Sequence, residues 1–480
     1  MTKQEYRQTR HTIALWKILG FTALLVIMGF IGLLWFARPK TSELEKRELT
    51  EFPHFSFAGV WDGSFCKDVD TWYADTYPLR ELLISMDAGM ESLYGVRGEQ
   101  IVNSGQQVDE IPEGTVDLAA LASSASEEPS ETSAPVQSDA DTDTQAPSEA
   151  ETETEDDGSF GAGDVTELGE KAGNIYITKN CGYGVYGFRA SESARYCLAV
   201  NAVAEAVQGK AQVYCLICPI SAGIMLSDEV LAQVGGTDEG EALSWMYENM
   251  DAAVRKVNVY QTLKQHNTEY IYFHTDHHWT ALGAYYAYCE FCRQKGIEPH
   301  KLESFETREF PNFLGTFYSS SNQSAALAAN PDTVTAYVPN GTNDMIMYSD
   351  YGSSGSYTKY NWNIIYDVSD YPSGGLYGTF SAGDQPYNYA HNETITDGST
   401  VLIVKDSYGN AFIPFLVDHY EHIYWVDYRY YAKYCAWAGI GDTSLSAFVK
   451  EHDVDDVILC NNINSTGDDS LLATMEKIFK

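Results

Sequence analysis

The chain has 480 residues, 44% of them hydrophobic, which is enough for one large globular core or two ordinary ones. Its formal net charge is −38; residues 98 to 170 hold 20 acids and no Lys or Arg, and the remainder is strongly acidic as well. Nucleic-acid binding depends on Lys and Arg releasing counterions from phosphates, so no nucleic-acid partner is expected.

In chain order, a short N-terminal tail, residues 1–17, precedes residues 18–37, "ILGFTALLVIMGFIGLLWFA", which carry no charge. Twenty residues at about 1.5 Å each match the roughly 30 Å hydrocarbon core of a bilayer, which predicts one transmembrane helix. A cleavable signal peptide is the rival reading. It needs small residues before the cut, whereas Leu34, Trp35 and Phe36 stand there, so the segment is read as an uncleaved anchor. Charge does not orient it, because Lys3, Arg7, Arg10 and Lys17 are balanced by Arg38, Lys40, Lys46 and Arg47. Residues 38–100 carry Leu82, Leu83, Met86, Met90 and Leu93 at helical spacing and read as a membrane-proximal helical segment. Residues 101–170 are rich in Ser, Thr, Ala, Pro and acids, with almost nothing to bury, and are expected to be a disordered acidic linker or insertion. An acidic docking site is the competing reading.

From 171 to 480, apolar runs alternate with helical patterns, the texture of an α/β domain. Strands are expected at "NIYITKN" (174–180), "VYCLICPI" (213–220) and "EYIYFHT" (269–275), with a helix over 191–209 and another over 280–292 that Thr280 can cap. Residues 304–398, rich in Tyr, Gly, Ser and Asn, read as an antiparallel or loop-rich insertion. The pattern then resumes with strand "TVLIVKD" (400–406), a helix from Asn410, strand "HIYWVDY" (422–428), helix 444–453, strand "DVILC" (456–460) and a helix after Gly467.

Two stretches carry chemistry. "YFHTDHHWTALG" (272–283) places Asp276 and three histidines, His274, His277 and His278, at a strand end before a helix, where open α/β sheets gather ligand-binding groups. A metal site, part of a catalytic triad and a solvated corner are all readings of it. His274 and His278 are four apart, which pairs ligands only on a helix, and no further cluster completes a site, so no metal is expected. Cys215 with Cys218, and Cys289 with Cys292, have knuckle-like spacing but sit in an apolar strand and an aromatic helix, and read as packed thiols. The second stretch, "VLIVKDSYGNAFIPF", ends a buried strand with Ser407, then Gly409 and Asn410 opening a helix whose free N–H groups can meet an oxyanion. Pro414 is expected in that helix's first turn, where no intrahelical bond is lost. A turn serine that merely caps the helix is the alternative.

With "DHHW" at 276–279 and "KDSYGN" at 405–410, the chain resembles the DHHW proteins, which are similar to extracytoplasmic alginate O-acetyltransferases and, more distantly, to SGNH hydrolases. The likeness spans about residues 45 to 480 apart from the acidic insertion. It implies an SGNH hydrolase-like doubly wound sheet in which Asp and His precede Ser in the chain, a permuted order. It also implies Asp276 as orienting acid, His278 as general base and Ser407 as nucleophile, with His274, His277 and Trp279 in supporting positions. "VILCNN" supplies Asn461 and Asn462 where such enzymes place an oxyanion-hole Asn; the glycine expected after the preceding strand is replaced by "VDYRYY". Arg429 there resembles an active-site arginine of the alginate enzymes, and a surface arginine is the other reading.

What the resemblance implies is a single-pass cell-membrane protein with its large domain outside, acting as an O-acetyltransferase or acetylesterase on a surface polysaccharide through an acetyl-serine. No cofactor is implied, and a multipass membrane O-acyltransferase is implied as acetyl donor. The alternative is a catalytically idle glycan-binding scaffold that uses the chain's 34 Tyr and 9 Trp as stacking surfaces.

Overall fold

The computed structural model describes residues 108–123, 164–166, 169–172, 175–321, 323–350 and 355–479, with isolated positions before residue 77. Two units are distinguished, Met1–Glu99 and Gln100–Lys480. Within the first, Thr41–Ser42 pairs antiparallel with Arg47–Glu48, and Phe52 meets Phe65 and Trp72 edge to face. Among the described residues no helix is long and apolar enough to cross a membrane. The apolar segment 18–37, the 82–93 pattern and most of the acidic stretch lie outside the described residues.

The second unit is a mixed α/β fold around an eight-stranded sheet. Its strands, with those of two smaller sheets, are β1 (Glu170–Ala172), β2 (Ile175–Thr178), β3 (Cys181–Gly184), β4 (Gln212–Cys218), β5 (Arg255–Lys256), β6 (Glu306–Phe313), β7 (Asp332–Val338), β8 (Asp344–Ser349), β9 (Thr358–Asn363), β10 (Tyr387–His391), β11 (Thr400–Lys405), β12 (His422–Asp427) and β13 (Asp456–Asn462). The central order is β9-β8-β10-β12-β11-β13-β4-β5. From β12 to β5 all neighbours run parallel, and from β12 to β9 all run antiparallel. The parallel half is buried on both sides: every residue of β11 and β13 is buried, as the apolar runs at their centres, Val401–Val404 and Val457–Cys460, require. Each buried Val, Ile or Leu there contributes about 1.5–3 kcal/mol.

Helices α1 (Leu118–Ser123), α2 (Ala190–Ala206), α3 (Ala281–Lys295), α4 (Thr316–Ser320), α5 (Gly409–Leu416), α6 (Tyr428–Ala438) and α7 (Asp469–Ile478) surround the sheet. Strand β4 shows that both faces are covered, since Cys215 Sγ meets Tyr196 of α2 while its neighbour Tyr214 packs its ring on Phe291 of α3. The same alternation separates Cys215 from Cys218, whose sulfur lies 3.8 Å from that of Cys460. Both are free thiols, as are Cys289 and Cys292 on α3.

Four features depart from the sequence reading. "EYIYFHT" is not a sheet strand: it is held by one antiparallel bridge, Tyr272 to Trp279, and its polar backbone is satisfied by Asp332 and Gly182 instead of a ladder. "IYIT" does form a strand, but in a separate antiparallel sheet, β1-β2-β3. The 304–398 segment supplies the antiparallel pair β6–β7 and, with β8, β9 and β10, extends the central sheet itself. Residues 108–123, inside the stretch expected to be disordered, are ordered: Asp109 Oδ2 accepts from the Ala190 amide at the start of α2, Val116 N donates to Asn249 Oδ1, and Ile111, Val116, Leu118 and Leu121 pack on the core. Composition averaged over the whole acidic stretch conceals this short apolar group.

Candidate active site

The DHHW loop is a tight excursion closed at its base by Phe273 N–H to His278 C=O, 3.2 Å, and Thr280 N–H to Ile271 C=O, 2.9 Å. Inside it, Asp276 makes a short-range turn in which Oδ1 accepts both the amide of His278, 3.1 Å, and its Nδ1–H, 2.6 Å. The i to i+2 spacing of Asp and His therefore sets the tautomer of His278. Its Nε2 is left 2.7 Å from Ser407 Oγ, at the end of β11. Asp276, His278 and Ser407 are 2%, 5% and 5% exposed, so this chain of hydrogen bonds runs in a nearly dry environment.

Burial by itself would raise the Asp276 carboxyl. Attraction to His278 and His277, with hydrogen bonds from His278 and the Thr316 amide, outweighs it and holds the group well below the ordinary carboxylate range. Asp276 is thus ionised at any working pH and can orient an imidazole that takes up a proton. Its second oxygen accepts from Thr316 N, 2.8 Å, and Thr316 Oγ1, 3.0 Å, at the start of α4. Gly315 lets this happen, since a Cβ on it would sit 2.3 Å from both Cβ and Oδ2 of Asp276. Gly315→Ala is expected to displace the carboxylate and lower the rate of ester hydrolysis about 10²-fold, through misplacement alone. An unchanged rate in the folded variant, measured on an acetyl ester, would refute this.

The loop carrying Ser407 is locked to the DHHW loop in both directions. Trp279 Nε1–H donates to Tyr408 C=O, 3.0 Å, and the Tyr408 hydroxyl donates back to His277 C=O. Tyr377 completes the cradle, its ring lying flat on His278 with centroids 3.9 Å apart and its hydroxyl donating to Ser407 C=O, 2.9 Å. Asp406 ties the nucleophile turn to the end of β13 by accepting from Asn462 N and Ser465 Oγ. Asp332, at the start of β7, accepts from the amides of His274 and Thr275, both 2.8 Å, and from the hydroxyls of Thr275 and Tyr270. His274 Nδ1 lies 3.1 Å from the same carboxylate, and His277 Nδ1 lies 2.5 Å from Thr316 Oγ1.

The other expected site residues are engaged in different tasks. The amides of Gly409 and Asn410 close the turn onto the carbonyls of Asp406 and Ser407, and so are not free to meet an oxyanion. Asn461 Oδ1 accepts from Tyr196 on α2, which leaves its buried Nδ2, the group an oxyanion would meet, without a partner among the described residues, and Asn462 Oδ1 caps the following turn at Asn464 N. Arg429 grips both oxygens of Asp427 and reaches Asp384 Oδ2, 3.0 Å. Asp384 also accepts from Asn410 Nδ2 and from the fully buried Lys405 Nζ. Burial raises its carboxyl, but Arg429, Lys405, Asn410 and the nearby His278 together hold it well below the ordinary range. Arg429 therefore belongs to a charge cluster with Asp427, Asp384 and Lys405, tied through Asn410 to the helix after Ser407, and is not a surface arginine.

Pro414 also falls deeper than expected, in the second turn of α5, where it cannot bond the Asn410 carbonyl. Ser381 Oγ donates to that carbonyl instead, 2.9 Å. Ser381 and Ala382 both adopt the left-handed region, φ 52° and 61°, which is costly for non-glycine residues and characteristic of segments shaped for function.

Among the described residues, Asp276, His277 and His278 form a cluster that could hold a metal. The donors fit a hydrogen-bond relay better, because Asp276 and Ser407 take both nitrogens of His278. Thr316, Asp332 and Tyr377 were not legible in the sequence as site residues.

Fold and site together define an α/β protein with a buried Ser-His-Asp chain at the carboxyl edge of a parallel sheet. The chain belongs to the DHHW protein family, whose model matches residues 45–426 and so includes both motifs. It is similar to a DHHW family protein from Eubacterium siraeum, 26% identical over 63% of this chain and 94% of that one, with a TM-score of 0.54. Bacillus cereus PatB1 is similar in fold at 17% identity, covering 64% and 99% of the two chains, with a TM-score of 0.51. The O-acetyltransferase domain of Pseudomonas putida AlgJ matches at 12% identity and a TM-score of 0.31 over 65% of this chain and 99% of that one, a likeness too loose to bear on function. None of the curated proteins matches.

Proposed function

We propose that the protein is an SGNH-like serine O-acetyltransferase or acetylesterase acting on a cell-surface polysaccharide. The observation that carries this is the unbroken relay Asp276 to His278 to Ser407, with contacts of 2.6 and 2.7 Å. His278 Nε2 removes the Ser407 proton as Oγ attacks an acetyl carbonyl. The imidazolium, steadied by ionised Asp276, returns that proton to the departing alcohol, leaving acetyl-Ser407. A polysaccharide hydroxyl or water, deprotonated by the same nitrogen, then takes the acetyl group and restores the serine. The apolar run at 18–37 supports a single-pass anchor with this domain outside the cell, where a multipass O-acyltransferase would supply the acetyl group.

Intact mass after brief incubation with an activated acetyl ester tests the reading. A one-acetyl adduct in the wild type that is absent in Ser407→Ala is expected. Equal hydrolysis by both proteins, with neither acquiring the adduct, would leave a glycan-binding scaffold in its place.

A further inference from the structure

At the opposite end of the sheet from Ser407, three ligand-forming side chains converge on the seam where the antiparallel extension joins the parallel core. His391 ends β10, His422 begins β12, and the antiparallel register sets them directly opposite each other. Their rings are close to parallel, with centroids 5.0 Å apart and an interplanar angle of 15°. Glu421 Oε1 lies 3.6 Å from His391 Nε2 and 3.8 Å from His422 Nε2, and the three donor atoms are all within 4.8 Å of one another. We propose that His391, Glu421 and His422 form a binding site for a divalent transition metal of the zinc type, independent of the catalytic group.

Bond lengths of about 2.0–2.1 Å place neighbouring donors of a tetrahedral zinc site about 3.3–3.4 Å apart. The two Glu421–histidine separations, 3.6 and 3.8 Å, are a few tenths of an ångström from that, and the histidine nitrogens, within 4.8 Å of each other, reach it by rotation of the exposed His391 ring. The ligands are also oriented from behind. Gly398 N–H donates to Glu421 Oε2, 2.7 Å, which turns the other oxygen toward the histidines. The Tyr389 hydroxyl is 2.9 Å from His422 Nδ1, and the tautomer that donates Nδ1–H to it leaves the Nε2 lone pair facing Glu421. The backbone under the glutamate is fixed by Glu421 N–H to Ser399 C=O, 3.0 Å, and Asn392 N–H to Glu421 C=O, 2.9 Å.

Side-chain exposures of 40% for His391, 32% for His422 and 19% for Glu421 leave an entry path and a fourth position for water. Two imidazoles and one carboxylate suit a borderline cation, and are a poor set for Mg²⁺ or Ca²⁺, which prefer oxygen. Strand β12 spans His422–Asp427, and at about 3.3 Å per residue the cluster lies roughly 17 Å from the Asp427 end, which pairs with Lys405 next to the Ser407 turn. The ion is therefore a staple between β10 and β12, outside the reaction itself.

Titrating the purified, tag-free full chain with Zn²⁺ alone, by calorimetry and by melting temperature, tests the site. One tightly bound Zn²⁺ per chain and a rise in Tm are expected, with no rise in Mg²⁺ or Ca²⁺. His391→Ala and His422→Ala should each weaken binding at least about 100-fold and abolish the rise, and Tyr389→Phe should weaken it about tenfold. All three should hydrolyse acetyl esters like the wild type, and their metal-free melting temperatures show whether they fold. Co²⁺ in place of Zn²⁺ should give visible absorption that His391→Ala lacks. No binding in the wild type, or binding retained in both histidine variants, overturns the proposal. Loss of binding in His278→Ala alone would assign the ion to the catalytic group, which also overturns it.

Discussion

Ser407→Ala and His278→Ala are each expected to reduce acetyl-ester hydrolysis roughly 10⁴-fold or more, to a shared background, with Asp276→Ala somewhat less severe. The reason is geometric: with His278 Nδ1 on Asp276 and Nε2 on Ser407, removing either end leaves the imidazole with nothing to relay. The double variant Ser407→Ala with His278→Ala should be no slower than either single one, because the residues act as a unit. His274→Ala should lose activity only in part and stay insensitive to chelators, since its main contacts to Asp332 run through the backbone amide. Steady-state rates on an activated acetyl ester check all of these. Additive losses in the double variant, or abolition by a chelator, would remove the triad from consideration.

Asp332→Ala is expected to destabilise the folded protein by about 3 kcal/mol or more. This carboxylate is buried and accepts from two amides and two hydroxyls, and hydrogen bonds to a charged group are worth about 1.5–3 kcal/mol each, with donors left buried and unpaired on its removal. Asp332→Asn retains the shape and part of the bonding, so it should fall between. Chemical denaturation gives the stability, and the ester rate well below the melting temperature gives the consequence for the site. That rate should fall also, because the two amides concerned belong to the residues immediately before Asp276. A stability within about 0.5 kcal/mol of wild type would show that the loop holds its shape without this anchor.

The hydrogen-bonded trio of Asp276, His278 and Ser407 was legible because each part of it is announced locally. Asp276 and His278 stand two apart in a polar break between apolar runs, and Ser407 follows a strand with the apolar run Val401–Val404 and precedes a helix. Family resemblance, not spacing, joined the two halves. Thr316, Asp332 and Tyr377 were not legible, since they are ordinary residues in a Tyr- and Gly-rich stretch and reach the site only because the chain between β6 and β10 folds back over it. The strand expected at 269–275 failed for a related reason. An apolar run reads as a strand when its amides need a ladder, and here a distant carboxylate satisfies two of them. The backbone amides of Gly409 and Asn410, read as oxyanion donors from their place at a helix start, are taken up by the turn itself, a cost of the turn that the sequence pattern does not display.

The order of the strands has a consequence for how the protein is born. Strand β11, which delivers Ser407, is flanked by β12 and β13, and both are synthesised after it. Its hydrogen-bond partner His278 emerged 129 residues earlier. A growing chain therefore carries Asp276 and His278 for a long interval without Ser407 beside them, and the serine itself is not seated until β13 arrives. Such non-local pairing closes slowly. Any product cut short before residue 456 should leave Ser407 unseated and be inert toward esters, which an ester assay on chains of graded length would check.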